Sequence, residues 1–313
     1  MLELFSQTLA VTVPVFAMVL LGIVLKRIDW IDSAFIGTAS LLVFKGCMPT
    51  LIFISLLKAD THAVIGFGLL GYFTLAMLAS VGLALAWGIW RIPRQDRGVY
   101  VQGAFRGNCG IVGLALAVSS YGDFGLALGG IFAAIVIVIY NVTSTVILAH
   151  YSADNRSSWR DNARGIATNP LILGVVLALP FAFFDIGLPD WLMRSAQLFA
   201  DLTLPLALIC IGGTLSLAAI AQASRIAVSA SAMKLLGLPL VFTALAYALG
   251  FRGSELGVMF LYFGSPTAAA SFVMARAYGA NDKLAAAIIV LTTVAAAVTI
   301  NLGMFVLSSI GAI

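Results

Sequence analysis

Apolar residues run along this chain in ten long stretches, separated by short clusters of Lys, Arg, Pro or Gly. They lie near Leu4–Leu25, Ala34–Leu57, Val64–Trp90, Val99–Ser119, Phe124–Ala149, Thr168–Phe184, Leu192–Ala219, Ile226–Leu249, Leu256–Tyr278 and Leu284–Ser309. Each offers about 20 residues of helix, roughly the hydrocarbon thickness of a bilayer. Periodicity does not locate their ends, so the charged and helix-breaking clusters do. The longest polar connection runs from His150 to Arg164, between the fifth and sixth stretches.

The breaks recur in register. Pro14 matches Pro170 and Pro49 matches Pro205 at an offset of 156, and Tyr121-Gly122 matches Tyr278-Gly279 at 157, half of the 313 residues. These marks predict an internal duplication: a first five-helix repeat over 1–150, a cytoplasmic connection over 151–167 and a second repeat over 168–313. Five spans is an odd number, so the second repeat enters the membrane in the opposite direction. The predicted fold is all-α, with ten transmembrane helices as two inverted repeats. Duplicated membrane domains with broken helices usually work as transporters, with a site near the midplane.

Composition agrees with a membrane class. Hydrophobic residues make up 62%, charged residues 10%, and the mean hydropathy is +1.08. A soluble domain carries roughly 25% charged residues. The first apolar segment lacks a basic start and a convincing cleavage site, and is expected to be a retained span. The net charge of +4 is scattered over short loops and implies no nucleic-acid partner. Loops after odd-numbered stretches hold 11 Lys and Arg; those after even-numbered stretches hold Lys58, Arg194 and Arg252. The positive-inside rule places the odd loops in the cytoplasm and both termini outside. The tryptophans Trp30, Trp87, Trp90, Trp159 and Trp191 fall at span ends or in loops, as an interfacial belt requires.

Four ionisable residues fall inside apolar stretches: Lys45, Arg106, Asp201 and Lys234. Such a group costs a few kcal/mol or more at membrane depth unless paired or wet. Lys45 and Asp201 each stand four residues before matching prolines. They read as a pair on the substrate path, or as a lock between two scaffold helices. Lys234 is expected to snorkel toward the cytoplasmic interface. Arg106-Gly107-Asn108-Cys109-Gly110 interrupts the fourth stretch, and Phe263-Gly264-Ser265-Pro266-Thr267 the matching place in the ninth. Backbone broken there is tolerated only in a protein-buried or wet cavity. Half-helix N-termini would offer amide N–H groups to an anion, with Asn108 adding a carboxamide and Arg106 a charged fork. Simple kinks for helix packing are the plainer account of the glycines. Asn141 and Asn301 either line such a cavity or bond a neighbouring helix. Cys47, Cys109 and Cys210 have no metal-ligand spacing and read as buried packing residues. No cofactor or metal site is expected.

Several segments resemble the auxin efflux carrier family. Gly107–Gly122 is similar to its crossover helix, Thr168–Gly174 to its Asn-Pro opening of span six, Leu198–Ser216 to its span seven, and Ser265–Gly279 to its second crossover helix. The resemblance implies crossed, broken spans four and nine. It implies a scaffold of spans one, two, six and seven, often a homodimer interface, and an elevator-like moving domain. It also implies a bacterial-type inner membrane, and places Asn108 where the crossover Asn meets a substrate carboxylate. Bacterial members include proteins described as malonate transporters and permeases. The long cytoplasmic loop and the span-three charged pair of plant members are absent, whereas Lys45 and Arg106 are extra. A small organic anion is therefore expected, a short dicarboxylate above all, with a proton or sodium ion as candidate coupling ion. The candidate site set is Asn108, Arg106, Gly107, Cys109, Gly110, Ser265, Pro266, Thr267, Lys45, Asp201 and Asn141. The alternative is a membrane sensor that keeps the transporter fold. No clustered His, Ser-His or paired-carboxylate set suggests an enzyme.

Overall fold

The computed structural model describes residues 2–58, 66–151, 168, 170–184, 186–214 and 224–313. Beyond Tyr151, the predicted connecting loop lies outside the described residues, as do Trp159, Asn169, Leu215 and Ser216. The described chain is helical, with turns and a single isolated β-bridge. Its helices are α1 (Leu2–Arg27), α2 (Ser33–Leu42), α3 (Met48–Lys58), α4 (Phe67–Arg91), α5 (Arg94–Phe105), α6 (Leu114–Tyr151), α7 (Pro170–Phe183), α8 (Asp190–Asp201), α9 (Thr203–Thr214), α10 (Arg225–Ala232), α11 (Leu238–Ala248), α12 (Gly253–Phe263), α13 (Ala270–Ala277) and α14 (Asp282–Ser309). Among the described residues, six helical segments are long and apolar enough to cross a membrane. Large apolar side chains such as Leu75, Leu240 and Val298 face outward, as expected where the surroundings are lipid.

Prolines explain several breaks. A proline has no N–H to give the carbonyl four residues back. Pro49 and Pro239 thus give no N–H to the carbonyls of Lys45 and Leu235, and both carbonyls lie in widened π turns, Val43–Cys47 and Met233–Gly237. Pro205 does the same to Asp201, where α8 stops and a turn at Leu202 precedes α9.

The segment Cys109–Tyr151 has 43 residues. A straight helix of that length would be about 65 Å long, twice the hydrocarbon core. It is not straight. Gly122 has φ 56° and ψ −135°, a conformation that suits glycine. A Cβ on Gly125 would sit 2.0 Å from the Ala117 carbonyl oxygen, so the chain doubles back into two packed helices. Gly279, in the other Tyr-Gly pair, also has positive φ, at 63°.

Packing follows two groupings. The main core lies among α4, α5, α6, α12 and α14, where Phe73 stacks on Phe132 with ring centroids 3.7 Å apart. Elsewhere α1 packs along α9, and α3 against α7 and α8. The α1–α9 contact is backbone to backbone: a Cβ on Gly212 would lie 1.9 Å from the Val19 carbonyl oxygen. Small residues permit such approaches between helices in membranes.

Candidate functional site

Two broken segments meet in the interior and satisfy each other. Asn108 N–H donates to the Pro266 carbonyl at 2.6 Å, and Ala268 N–H donates to the Arg106 carbonyl at 2.9 Å. Gly107 and Thr267 thereby form an isolated antiparallel bridge. Thr267 fixes the junction further, donating Oγ1–H to the Gly103 carbonyl at 2.7 Å and its backbone N–H to Thr292 Oγ1 at 3.0 Å. In an apolar interior each unpaired backbone group would be costly. The cross-pairing removes that cost at the point where both helices stop.

Beside the junction is a cavity of roughly 530 Å³, within the usual range for small-molecule sites. Its walls come from residues of α2, α3 and the turn between them (Val43, Phe44 and Met48 among them), from the break at Arg106, Gly107, Asn108 and Gly110, from Tyr140 and Asn141 of α6, from α9, and from Ala268 and Met274. Of the sequence-predicted residues, Arg106, Gly107, Asn108, Gly110 and Asn141 line it. Arg106 is 8% exposed. Its Nη2 donates to Asn141 Oδ1 at 3.0 Å, and its Nη1 faces the Tyr140 carbonyl at 3.2 Å, Ser144 Oγ at 3.0 Å and Met274 Sδ at 3.0 Å. Every one of these partners is neutral. The Asn108 side chain gives no cap to the half-helix that follows, and its carboxamide has no side-chain partner among the described residues. At Gly110 the space beyond the backbone is open. The cavity therefore presents a guanidinium charge, two carboxamides and the start of a half-helix, whose dipole is positive at that end.

The other predicted residues do not reach the cavity. Ser265 donates to the Leu261 carbonyl at 2.8 Å, Pro266 and Thr267 hold the crossing, and the Cys109 thiol points to the Tyr262 carbonyl at 3.3 Å. Within the second break, the Pro266 carbonyl, Thr267 and the Ala268 N–H are bonded across the junction, while Ser265 bonds back to its own helix. Lys45 and Asp201 are exposed and form no ion pair with each other among the described residues; Asp201 accepts from Gln197 at 2.7 Å. Helix geometry gives the reason. Val43 and Cys47, four apart, mark the buried face of that turn, and Lys45 between them points away. Asn301 donates to the carbonyl of Ala297 on its own helix, at 2.6 Å.

Lys234 corrects the snorkelling expectation. It is 2% exposed, and its Nζ donates to the Phe263 carbonyl at 2.7 Å, at the end of α12. A Cβ on Gly107 would meet that Nζ at 3.1 Å, so the ammonium stands at the crossing; Lys234 is not among the residues that line the cavity. A cation there answers the negative end of the α12 dipole. Sequence depth could not reveal this, because depth along a helix does not give the face. Met274 and Gln102 also emerge only in three dimensions, since neither residue type signals a site by itself.

Relatives place this architecture. The profile of the membrane transport protein family matches residues 8–304. A transporter of uncharacterised activity from Methanothermobacter thermautotrophicus is 25% identical over 311 residues, covering 97% of this chain and 100% of that one. Another, from Methanocaldococcus jannaschii, is 24% identical over 216 residues, 66% of this chain and 67% of that protein. The probable auxin efflux carrier component 1c of Oryza sativa subsp. japonica is 28% identical over 134 residues, 42% of this chain but 23% of the rice protein. With a family match over nearly its whole length, helices able to span a bilayer and relatives that are transporters rather than enzymes, this chain belongs to the membrane transport protein family, that of the auxin efflux carriers.

Proposed function

We propose that the protein is a secondary transporter of small organic carboxylates, a short dicarboxylate such as malonate among them, bound in the cavity beside the crossing. The observation that carries this reading is the Arg106 guanidinium. It is buried at a cavity wall with only neutral partners among the described residues. A cation held there at a cost of a few kcal/mol is matched by an anion, and a guanidinium suits a carboxylate. Asn108 and Asn141 add neutral donors at the same wall.

The cavity also lies between two groups of helices, with α9 and the α2–α3 turn on one side and the crossing on the other. That position favours an elevator-like cycle, in which the crossing and its neighbours carry the site past a scaffold of α1, α2, α3, α7, α8 and α9. In this reading the chain has ten spans as two inverted repeats, forms a homodimer through the scaffold, and couples transport to a proton or sodium ion. Lys45 and Asp201, exposed on scaffold helices, then belong to the scaffold's outer face.

Counterflow in proteoliposomes tests the substrate class. Preloaded malonate should drive accumulation of labelled malonate, and a panel of monocarboxylates should compete more weakly. No counterflow with any mono- or dicarboxylate would dismiss the proposal. The orientation has its own measurement. A reporter active only outside the cytoplasm, fused at the C-terminus, should be active; a reporter active only inside should be silent. The reverse result would remove the ten-span inverted arrangement.

A further inference from the structure

We infer that Arg106, Gln102 and Ser271, sealed by Met274, form a second anion subsite behind the cavity wall, which takes the distal carboxylate of a small dicarboxylate. This rests on the carboxylate reading above. Gln102 stands in the last turn of α5, and Arg106, just past its end, donates its backbone N–H to the Gln102 carbonyl at 2.9 Å; both side chains reach Met274. It is wholly buried, and its Nε2 donates to Met274 Sδ at 3.4 Å. Arg106 Nη1 donates to the same sulfur at 3.0 Å. A thioether is a weak acceptor. Two strong donors, one of them charged, thus converge on an atom that answers neither well.

Three further polar atoms in this corner have no hydrogen-bond partner among the described residues: Arg106 Nε, Gln102 Oε1 and Ser271 Oγ. Ser271 is 1% exposed and lies three residues before Met274 on the same face of α13. Native interiors leave few polar atoms unmatched, and here three belong to residues gathered around one side chain. Two of these, the Arg106 Nε–H and the Ser271 hydroxyl, are donors that a carboxylate would use, beside the Gln102 Nε2–H held only by sulfur; Gln102 Oε1 is an acceptor and does not contribute.

Met274 is both stopper and gate. It lines the cavity on one side and receives Gln102 on the other. Its three rotatable bonds let the thioether swing aside without backbone movement. A carboxylate arriving in its place gains charge-assisted hydrogen bonds, stronger than the neutral contacts it replaces. A monocarboxylate held at Asn108 and Asn141 leaves the stopper in position. Discrimination between one and two carboxylates therefore comes from the corner behind Met274.

Calorimetric titration of the purified protein with sodium malonate and sodium acetate, at matched ionic strength, tests the subsite. The wild type should bind malonate more tightly than acetate. Gln102→Leu should lower the malonate-to-acetate affinity ratio by about tenfold, the worth of one hydrogen bond to a charged group. Met274→Ala removes the thioether that must be displaced, and should raise the same ratio severalfold. Should Gln102→Leu fail to fold, Met274→Ala together with Ser271→Ala, which should lower the ratio, decides. Ratios within about twofold of wild type in the folded variants, or a wild type that binds acetate as tightly as malonate, overturn the subsite and leave the carboxylate reading standing. A wild type that binds neither anion overturns that reading, and the subsite with it.

Discussion

Replacing Arg106 with glutamine is expected to weaken dicarboxylate binding by about a hundredfold, the value of a charge-assisted pair in a water-poor site, while the protein remains folded. The two halves of this expectation have one origin. The guanidinium is 8% exposed and its partners are the Tyr140 carbonyl, Ser144, Asn141 and a thioether, all neutral. A buried charge without a countercharge subtracts from stability. Arg106→Gln removes that burden and keeps a polar, neutral side chain at the wall. Thermal stability in detergent should therefore hold or rise while transport falls. A packing residue would behave in the opposite way, with transport lost only as the fold is lost. Uptake should also fall more for malonate than for a monocarboxylate, because two carboxylates draw more on the positive potential. Equal losses for both, or transport that declines in step with melting temperature, would assign Arg106 a structural role.

Gly212→Val should cost about 3 kcal/mol or more, at the upper end for inserting atoms into a packed interface. A Cβ there would lie 1.9 Å from the Val19 carbonyl oxygen and 3.0 Å from the Gly22 Cα. Both are backbone atoms of α1, which cannot rotate out of the way as a side chain can. The two helices would have to separate along their length and lose their shared packing, the main force between helices in lipid. Gly71→Ala is the control. Nothing stands within 4 Å of a Cβ at that position in α4, and alanine is the better helix former by about 1 kcal/mol. Unfolding titrations in mixed micelles should show Gly212→Val strongly destabilised and Gly71→Ala unchanged or slightly stabilised. Similar small effects at both sites would mean that α1 and α9 are not closely apposed.

Much of the helical layout was legible along the chain. Apolar length, interrupted by Lys, Arg, Pro and Gly, marks where helices run, because the energy of burying apolar residues in a bilayer depends on composition more than on neighbours. The Tyr121-Gly122 and Tyr278-Gly279 pairs announced turns, and both glycines have positive φ. That is a local steric requirement which sequence can display. Arg106, Asn108 and Asn141 stood out for a similar reason: polar groups are expensive at membrane depth, and Arg106 and Asn108 also sit at a break in an apolar run.

What only the tertiary structure decided is which face each polar residue presents and what it meets there. Lys45 and Asp201 each stand four residues before a proline yet point outward, while Lys234, expected at the interface, reaches the end of α12. Ser265, Pro266 and Thr267 looked like a second half of the anion site, but the Pro266 carbonyl and Thr267 bond across the crossing and Ser265 bonds back to Leu261 on its own helix. Gln102, Ser271 and Met274 carried no signal at all, since a lone amide, hydroxyl or thioether is ordinary in a helix. The sequence by itself determined the class of solvent, the helices and the breaks, because each depends on residues adjacent in the chain. Pairing depended on contacts such as Asn108 with Pro266, 158 residues apart, where the low-dielectric interior makes every unmatched polar group seek the nearest partner in space.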